Sequence, residues 1–316
     1  MTKLKKLLTI LTSAAVLLSL TACSKTEETK TPEKQSLTFG MMGSIDSVPF
    51  VIAKEKGLFE KAGVDVTIET FKNSKDRDAA FQAGSLDGVI CDEVAISLYQ
   101  NADFDVKITG ITDGDFMLVA GAKSGIKSLS DLKEKSVAIS EKTSIEYTLD
   151  KILEKNSMNP KDVKKSVVPA IPTRLEMLNN GNVDAALLPE PFSSMAINSG
   201  GILLGSASNL ASYPSVSAFT QKAIDDKSSE IQAFYKAYNE AVEYINSTSV
   251  TEYEDLIIKT VGYPEDMKGK IKLPTFRKNM LPKDEEVQEA INWCKDNNLI
   301  TKNLTPKDVT NNIGVK

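Results

Sequence analysis

Histidine is absent from all 316 residues. That excludes Ser-His-Asp triads, HExxH metalloproteases, zinc sites with a histidine ligand, haem held by histidine and any histidine general base. Cysteine is scarce, and three residues cannot build a disulfide framework. Basic charge is not in excess. Lysine and arginine number 38 against 43 acids, for a formal charge of -5, so the basic face that nucleic acid binding needs has no compositional support. Beyond the first residues no apolar run is long enough to read as a membrane span. No cluster has metal-ligand spacing, and no cofactor is expected. What is present is 41% hydrophobic residues, enough to bury real cores, over a length that suits about two domains of roughly 100–200 residues each.

The chain opens with Lys3, Lys5 and Lys6, then an apolar run over 7–20. Fourteen helical residues rise about 21 Å against a hydrocarbon core of about 30 Å, so the run fits the core of a signal peptide better than a span. Leu20-Thr21-Ala22-Cys23 follows. It resembles the bacterial lipobox, which implies a leader over 1–22 and a diacylglyceryl group on Cys23. An ordinary secretory signal with a chance cysteine is the alternative. Cleavage would remove three lysines and no acids, taking the charge from -5 to -8. Residues 23–36 are polar, without apolar periodicity, and read as a tether.

From 37 the pattern alternates. Strands are expected at 37–42, 64–68, 88–91, 106–111 and 116–120, with helices over 48–61, 76–83 and 94–100. The rhythm restarts after Ser128, with strands at 136–139, 166–168, 185–188 and 201–205 and helices at 144–156, 173–179 and 192–198. Such units argue for an α/β protein with mainly parallel sheets. Beyond 225 the pattern is nearly all helical and too polar for a core of its own, so it is expected to pack back on the first lobe. The chain must then cross between lobes twice, near 122–128 and near 212–221, making a hinge and a cleft. The division is 37–122 plus 221–316 for lobe 1 and 123–220 for lobe 2.

Four stretches carry a resemblance. They are Pro49 to Val66 (PFVIAKEKGLFEKAGVDV), Ala83 to Gly88 (AGSLDG), Ser130 to Ala138 (SDLKEKSVA, with Glu134 where a glycine is usual), and Asn180 to Ala186 (NGNVDAA) followed by Pro189-Glu190-Pro191-Phe192. In order and spacing they resemble the nitrate/sulfonate/taurine and thiamine-precursor-binding family of ABC-transporter substrate-binding proteins, over about 37–220. The resemblance implies two Rossmann-like lobes in a type II periplasmic-binding-protein fold, a cleft that closes on a small solute, and permease subunits as partners.

Ligands of open α/β sheets sit at the carboxyl ends of strands. In the first lobe that points to the turn of Gly43, Ser44, Ile45 and Asp46, whose backbone N–H groups and Ser44 hydroxyl could donate to an anion, with simple helix capping by Ser44, Asp46 or Ser47 as the alternative. It also points to Asp92 or Glu93 as a ligand acceptor, with Asp92 as a helix N-cap and Glu93 in the first turn as the alternative. Asp113 and Asp115 read as turn residues. In the second lobe, Ser140, Thr143 and Ser144 precede a helix and could seat an anion on its N-terminus. Relatives place a small hydroxyl residue at the last two. Thr143 with Glu146 also fits a capping box. Glu190, between two prolines, matches a position that relatives use near ligand. Tyr213, near a crossing, is the stacking candidate, whereas Trp293, Tyr235, Tyr238 and Tyr244 read as packing residues. Cys91 and Cys294 are expected as buried small hydrophobes, with a disulfide between them as the alternative.

These readings favour a binding protein over an enzyme. It would be a monomeric, lipid-anchored lipoprotein on the extracytoplasmic face of the cell membrane, in a Gram-positive cell, capturing a taurine-like sulfonate or an aminopyrimidine thiamine precursor. The alternative is an enzyme on the same fold, of the menaquinone-precursor lyase type. Pyrimidine-forming relatives need a reactive histidine and a cysteine-rich motif, and this sequence has neither.

Overall fold

The computed structural model describes residues 35–210 and 213–315. The leader, Cys23 and nearly all of the tether lie outside them. The first lobe begins with β1 (Ser36–Met42), α1 (Val48–Glu55), α2 (Leu58–Ala62), β2 (Asp65–Phe71), α3 (Ser74–Gln82), β3 (Gly88–Asp92), α4 (Glu93–Asn101) and β4 (Val106–Ile111). The single helix expected over 48–61 is two, because Gly57 takes a φ of 66°, a left-handed conformation that glycine adopts without strain.

The second lobe holds β5 (Phe116–Ala120), β6 (Ser136–Ile139), α5 (Ser144–Lys155), β7 (Lys164–Val167), α6 (Ile171–Asn180), β8 (Ala185–Pro189), α7 (Phe192–Asn198) and β9 (Ile202–Ser206). The chain then returns through β10 (Ser215–Thr220) to α8 (Gln221–Asp226), α9 (Ser228–Ser247), α10 (Glu254–Val261) and α11 (Asp284–Asp296). The two sheets have the orders β2-β1-β3-β10-β4 and β7-β6-β8-β5-β9.

Sheet membership moves both crossings. β5 pairs with β8 and β9, so the first crossing lies between Ile111 and Phe116, not at 122–128. β10 pairs with β3 and β4, so the second lies between Ser206 and Ser215, and residues 215–220 belong to the first lobe. Nor are the sheets wholly parallel, because β5 and β10 run antiparallel to their neighbours. The geometry requires it. β4 and β9 end at the cleft, so a strand entering directly from a crossing starts where its parallel neighbours finish.

The helical tail packs on the first lobe, as its polarity suggested. α9 buries Ile231, Phe234, Tyr235, Tyr238 and Val242, a helical stripe. Phe234 meets Phe39, Phe50 and Phe219 at ring separations of 4.8, 5.4 and 5.5 Å, and stacks on Phe59. α11 buries Val287, Ala290, Ile291 and Cys294 in the cluster that holds Val94 and Tyr99 of α4. Cys91 and Cys294 are both buried and both free, so no disulfide joins them. Among the described residues no helix is long and apolar enough to cross a membrane.

Candidate functional site

The carboxyl ends of β1, β3, β6 and β8 meet across the cleft and enclose about 40 Å³ of space, well below the roughly 300–1,000 Å³ of drug-sized sites. Ser44, Asp46, Asp92, Ser140, Thr143, Ser144 and Tyr213 all line it. Glu190 does not. Its carboxylate accepts hydrogen bonds from the hydroxyl (2.8 Å) and backbone N–H (3.4 Å) of Ser194 and lies in a separate groove beside Tyr263 and Lys270. Its carbonyl accepts from the Ile45 N–H at 3.3 Å, joining the lobes through backbone.

Asp46 is almost wholly buried and already full. Ser44 donates to one carboxylate oxygen. Ser215, Tyr213 and Thr112 donate to the other, at 2.9, 3.3 and 3.5 Å. A carboxylate has about four acceptor sites, so little is left for a solute. Burial raises its pKa, and the Ser44, Ser215 and Tyr213 hydroxyls pull it back. Thr112 stands on the first crossing and Tyr213 on the second, so Asp46 ties both to the loop after β1. Asp46→Ala is expected to cost about 1–3 kcal/mol, because it strands buried hydroxyls. Urea unfolding checks this, and a loss under about 0.5 kcal/mol would mean that the hydroxyls find other acceptors. Asp113 and Asp115 also serve the crossings. Asp113 accepts from Arg277 N and Nε at 2.6 and 2.7 Å, and Asp115 accepts from Ser208 N and Oγ at 3.1 and 2.9 Å.

Asp92 is the N-cap that its position allowed, and it also reaches across the cleft. One oxygen caps α4 by accepting from Ala95 N at 2.8 Å, and the other accepts from Ser144 Oγ across the cleft at 3.1 Å. Burial raises its pKa, and nearby Arg77 opposes that. Thr143 caps α5 by accepting from Ile145 N, and its hydroxyl donates to Ser140 O. The capping box with Glu146 does not form. Glu146 instead accepts from Lys142 N at 2.7 Å and pairs with Lys165 at 2.8 Å. The Tyr213 ring packs on Phe116 at 4.8 Å. Gly114 permits this, since a Cβ there would come within 2.7 Å of the tyrosine oxygen. Cys91 also lines the cavity. Burial pushes its thiol up, with Arg77 pulling the other way, so the nucleophilic thiolate is disfavoured.

Two charged lining residues escaped the sequence reading, Arg77 and Arg174. Each is 1% exposed. Each donates through Nη1 to a strand carbonyl 13 residues on, Ile90 O at 2.9 Å and Leu187 O at 2.7 Å. Each is followed at the same spacing by a glycine with φ near 80° (Gly84 and Gly181) and by an aspartate (Asp87 and Asp184). Those aspartates accept from backbone N–H groups of β1 and β6, Thr38 N and Ser136 N, both at 2.8 Å. The lobes thus repeat one helix–turn–strand unit. The signal was in the sequence: Arg-x6-Gly-x2-Asp occurs twice, and only three of the 38 basic residues are arginines.

Comparison with known proteins agrees with this architecture. Residues 30–261 match the profile of the NMT1-like family. The chain belongs to that family. Among solved structures, this NMT1-like chain resembles the periplasmic aliphatic sulphonate binding protein SsuA of Escherichia coli, at a TM-score of 0.74 and 19% identity over 88% of this chain and 92% of that one. The alkanesulfonate-binding protein SsuA of Xanthomonas axonopodis pv. citri, bound to MOPS, gives 0.72 and 18% over 88% and 99%. The periplasmic nitrate-binding protein NrtA of Synechocystis gives 0.65 and 17% over 84% and 81%. At these identities the likeness establishes the fold, a type II periplasmic-binding-protein fold of two α/β lobes. A curated Brucella abortus protein, named as a binding protein, is 37% identical over 113 residues, 36% of this chain and 35% of that one. The match thus spans about a third of the length of the curated relative.

Proposed function

We propose that this protein is the solute-binding component of an ABC importer, tethered by lipid on Cys23 to the outer face of the cell membrane. It takes up a small polar solute by lobe closure and hands it to the permease. The solute is a taurine-like sulfonate or an aminopyrimidine. The observation that carries the reading is the Ser144–Asp92 hydrogen bond across the cleft, which shuts a small cavity lined by polar groups of both lobes. A solute drives closure only by binding the closed form better. Shifting 1:99 to 99:1 takes about a 10⁴-fold preference, and contacts from both lobes are what supply it.

Small-angle scattering of the purified protein is expected to show a smaller radius of gyration when its solute is added. A curve that no solute changes, across sulfonates and aminopyrimidines, would remove the reading. Uptake of the labelled solute should fall in a deletion strain and return with the intact gene. A strain with Cys23→Ala should release the protein from the membrane fraction.

A further inference from the structure

We infer that Arg174 seats a single negative charge on the solute, so the solute is a mono-anion with a carboxylate or sulfonate head. This rests on the reading of the cleft as a solute site, and it separates the two solute classes left open there. An aminopyrimidine without an acidic group would leave Arg174 unanswered.

The argument comes from comparing two equivalent positions. Arg77 in the first lobe carries its own counter-charge. Asp78, the next residue, accepts from its Nε at 2.8 Å and its Nη2 at 2.7 Å, and Tyr99 donates to the same oxygen. Burial is the largest single influence and works against the Arg77 charge, but Asp78, Tyr99, Cys91 and Asp92 together outweigh it and hold the pKa up. In the second lobe the residue after Arg174 is Leu175. The guanidinium is as deeply buried, yet its partners are all neutral carbonyls: Val168 O at 3.1 Å, Leu187 O at 2.7 Å and Pro169 O at 3.3 Å. Among the described residues no carboxylate lies within salt-bridge distance. Burial, unopposed, pulls its pKa down to about 9, so the group is still charged at neutral pH.

A guanidinium has five N–H donors, and three bonds are accounted for. A buried charge without a partner is strongly unfavourable, and this one borders the cavity. The Ser140 hydroxyl and the N-terminus of the 12-residue helix α5 border the same cavity and suit an oxyanion, while the Thr143 and Ser144 hydroxyls already donate to Ser140 O and Asp92. The charge balance also bounds the head group. Asp92, buried on the opposite wall, repels a second negative charge, so a phosphate dianion fits poorly.

The test uses the full-length protein, its Arg174→Gln and Arg174→Lys variants, and the smallest anions of the class. Methanesulfonate and acetate are compared with chloride at equal ionic strength by scanning calorimetry. At ten times its dissociation constant, either probe should raise the wild-type melting temperature by about 3 °C. Arg174→Gln should abolish the shift and Arg174→Lys should keep part of it. Equal shifts in wild type and Arg174→Gln, or no shift in wild type, would overturn the assignment. Should Arg174→Gln not fold, the Lys variant decides: an undiminished shift counts against the proposal, and a reduced shift supports it. A neutral aminopyrimidine that contracts the wild-type protein in scattering would also overturn it while leaving solute capture intact. Failure of every solute to contract the protein is the separate result that removes the function itself.

Discussion

Trp293→Ala is expected to destabilise the protein by about 3–5 kcal/mol, the usual loss for truncating a buried tryptophan. The melting temperature should fall by on the order of 10 °C. Trp293 is 5% exposed on α11, the tail helix that packs on α4 of the first lobe. Its ring meets Tyr147 of α5 edge-on at 5.7 Å, and its indole N–H donates to Asp150 Oδ2 at 3.1 Å. Tyr147 and Asp150 both belong to the second lobe, so one side chain joins the two lobes. Trp293→Phe keeps most of the packing and loses the hydrogen bond, so it should cost less, about 1.5–3 kcal/mol. Lys165, 2.7 Å from Asp150 Oδ1, remains to hold the carboxylate. Calorimetry on both variants checks the order. A loss below about 1 kcal/mol for the alanine variant would show that α11 and α5 do not touch in solution.

Glu93→Gln is expected to raise stability above pH 8 and to flatten its pH dependence. Glu93 opens α4, is 4% exposed, and its Oε2 has no hydrogen-bond partner among the described residues. Burial pushes its pKa up from 4.5 to about 8, helped by Glu286 of α11, Asp92 and Glu289 of α11. Glu93 in turn is one of the acids that raise the pKa of Tyr147 on α5, after burial and Glu289. The direction of the pH effect follows from which state holds the proton. The folded protein binds it more tightly than the unfolded chain. The associated stability is therefore fully present below about pH 4.5 and is lost as pH rises through about 8, at up to about 1.4 kcal/mol per pH unit. Glutamine never ionises and avoids the loss. A gain on the order of 2–3 kcal/mol at pH 8.5 is the expected result. Melting curves of the two proteins from pH 5 to 9 decide it, and parallel profiles would mean that Glu93 finds a partner or water.

Much of the fold was legible because its helices are amphipathic and its strands apolar. The ranges of β4, β5, β6 and α7 could be read directly from those patterns. β10 was not, because Ser-Val-Ser-Ala-Phe-Thr is small and polar at alternate positions. Those serines are buried, Ser217 sharing a hydrogen bond with Tyr235 and Ser215 donating to Asp46. A strand whose polar groups are satisfied internally gives no hydrophobic signal. Misplacing β10 displaced the second hinge crossing with it. At the site, hydroxyls and acids at strand ends pointed to the right wall of the cleft, since strand ends can be located from one sequence. Arg77 and Arg174 come from mid-helix positions and reach the cavity along their stems. They are found from the repeated Arg-x6-Gly-x2-Asp pattern, not from strand ends. Glu190 fails for a related reason: its backbone faces the cleft contact while its side chain turns to Ser194.

The chain contains a single tryptophan, and it lies on the seam where the lobes meet. Its fluorescence is therefore a built-in gauge of domain opening. When the seam parts, the indole should pass from an apolar wall into water and its emission should shift to longer wavelength, with no dye and no engineered label. Stopped-flow mixing with a candidate solute would then time the closing step itself in the native protein.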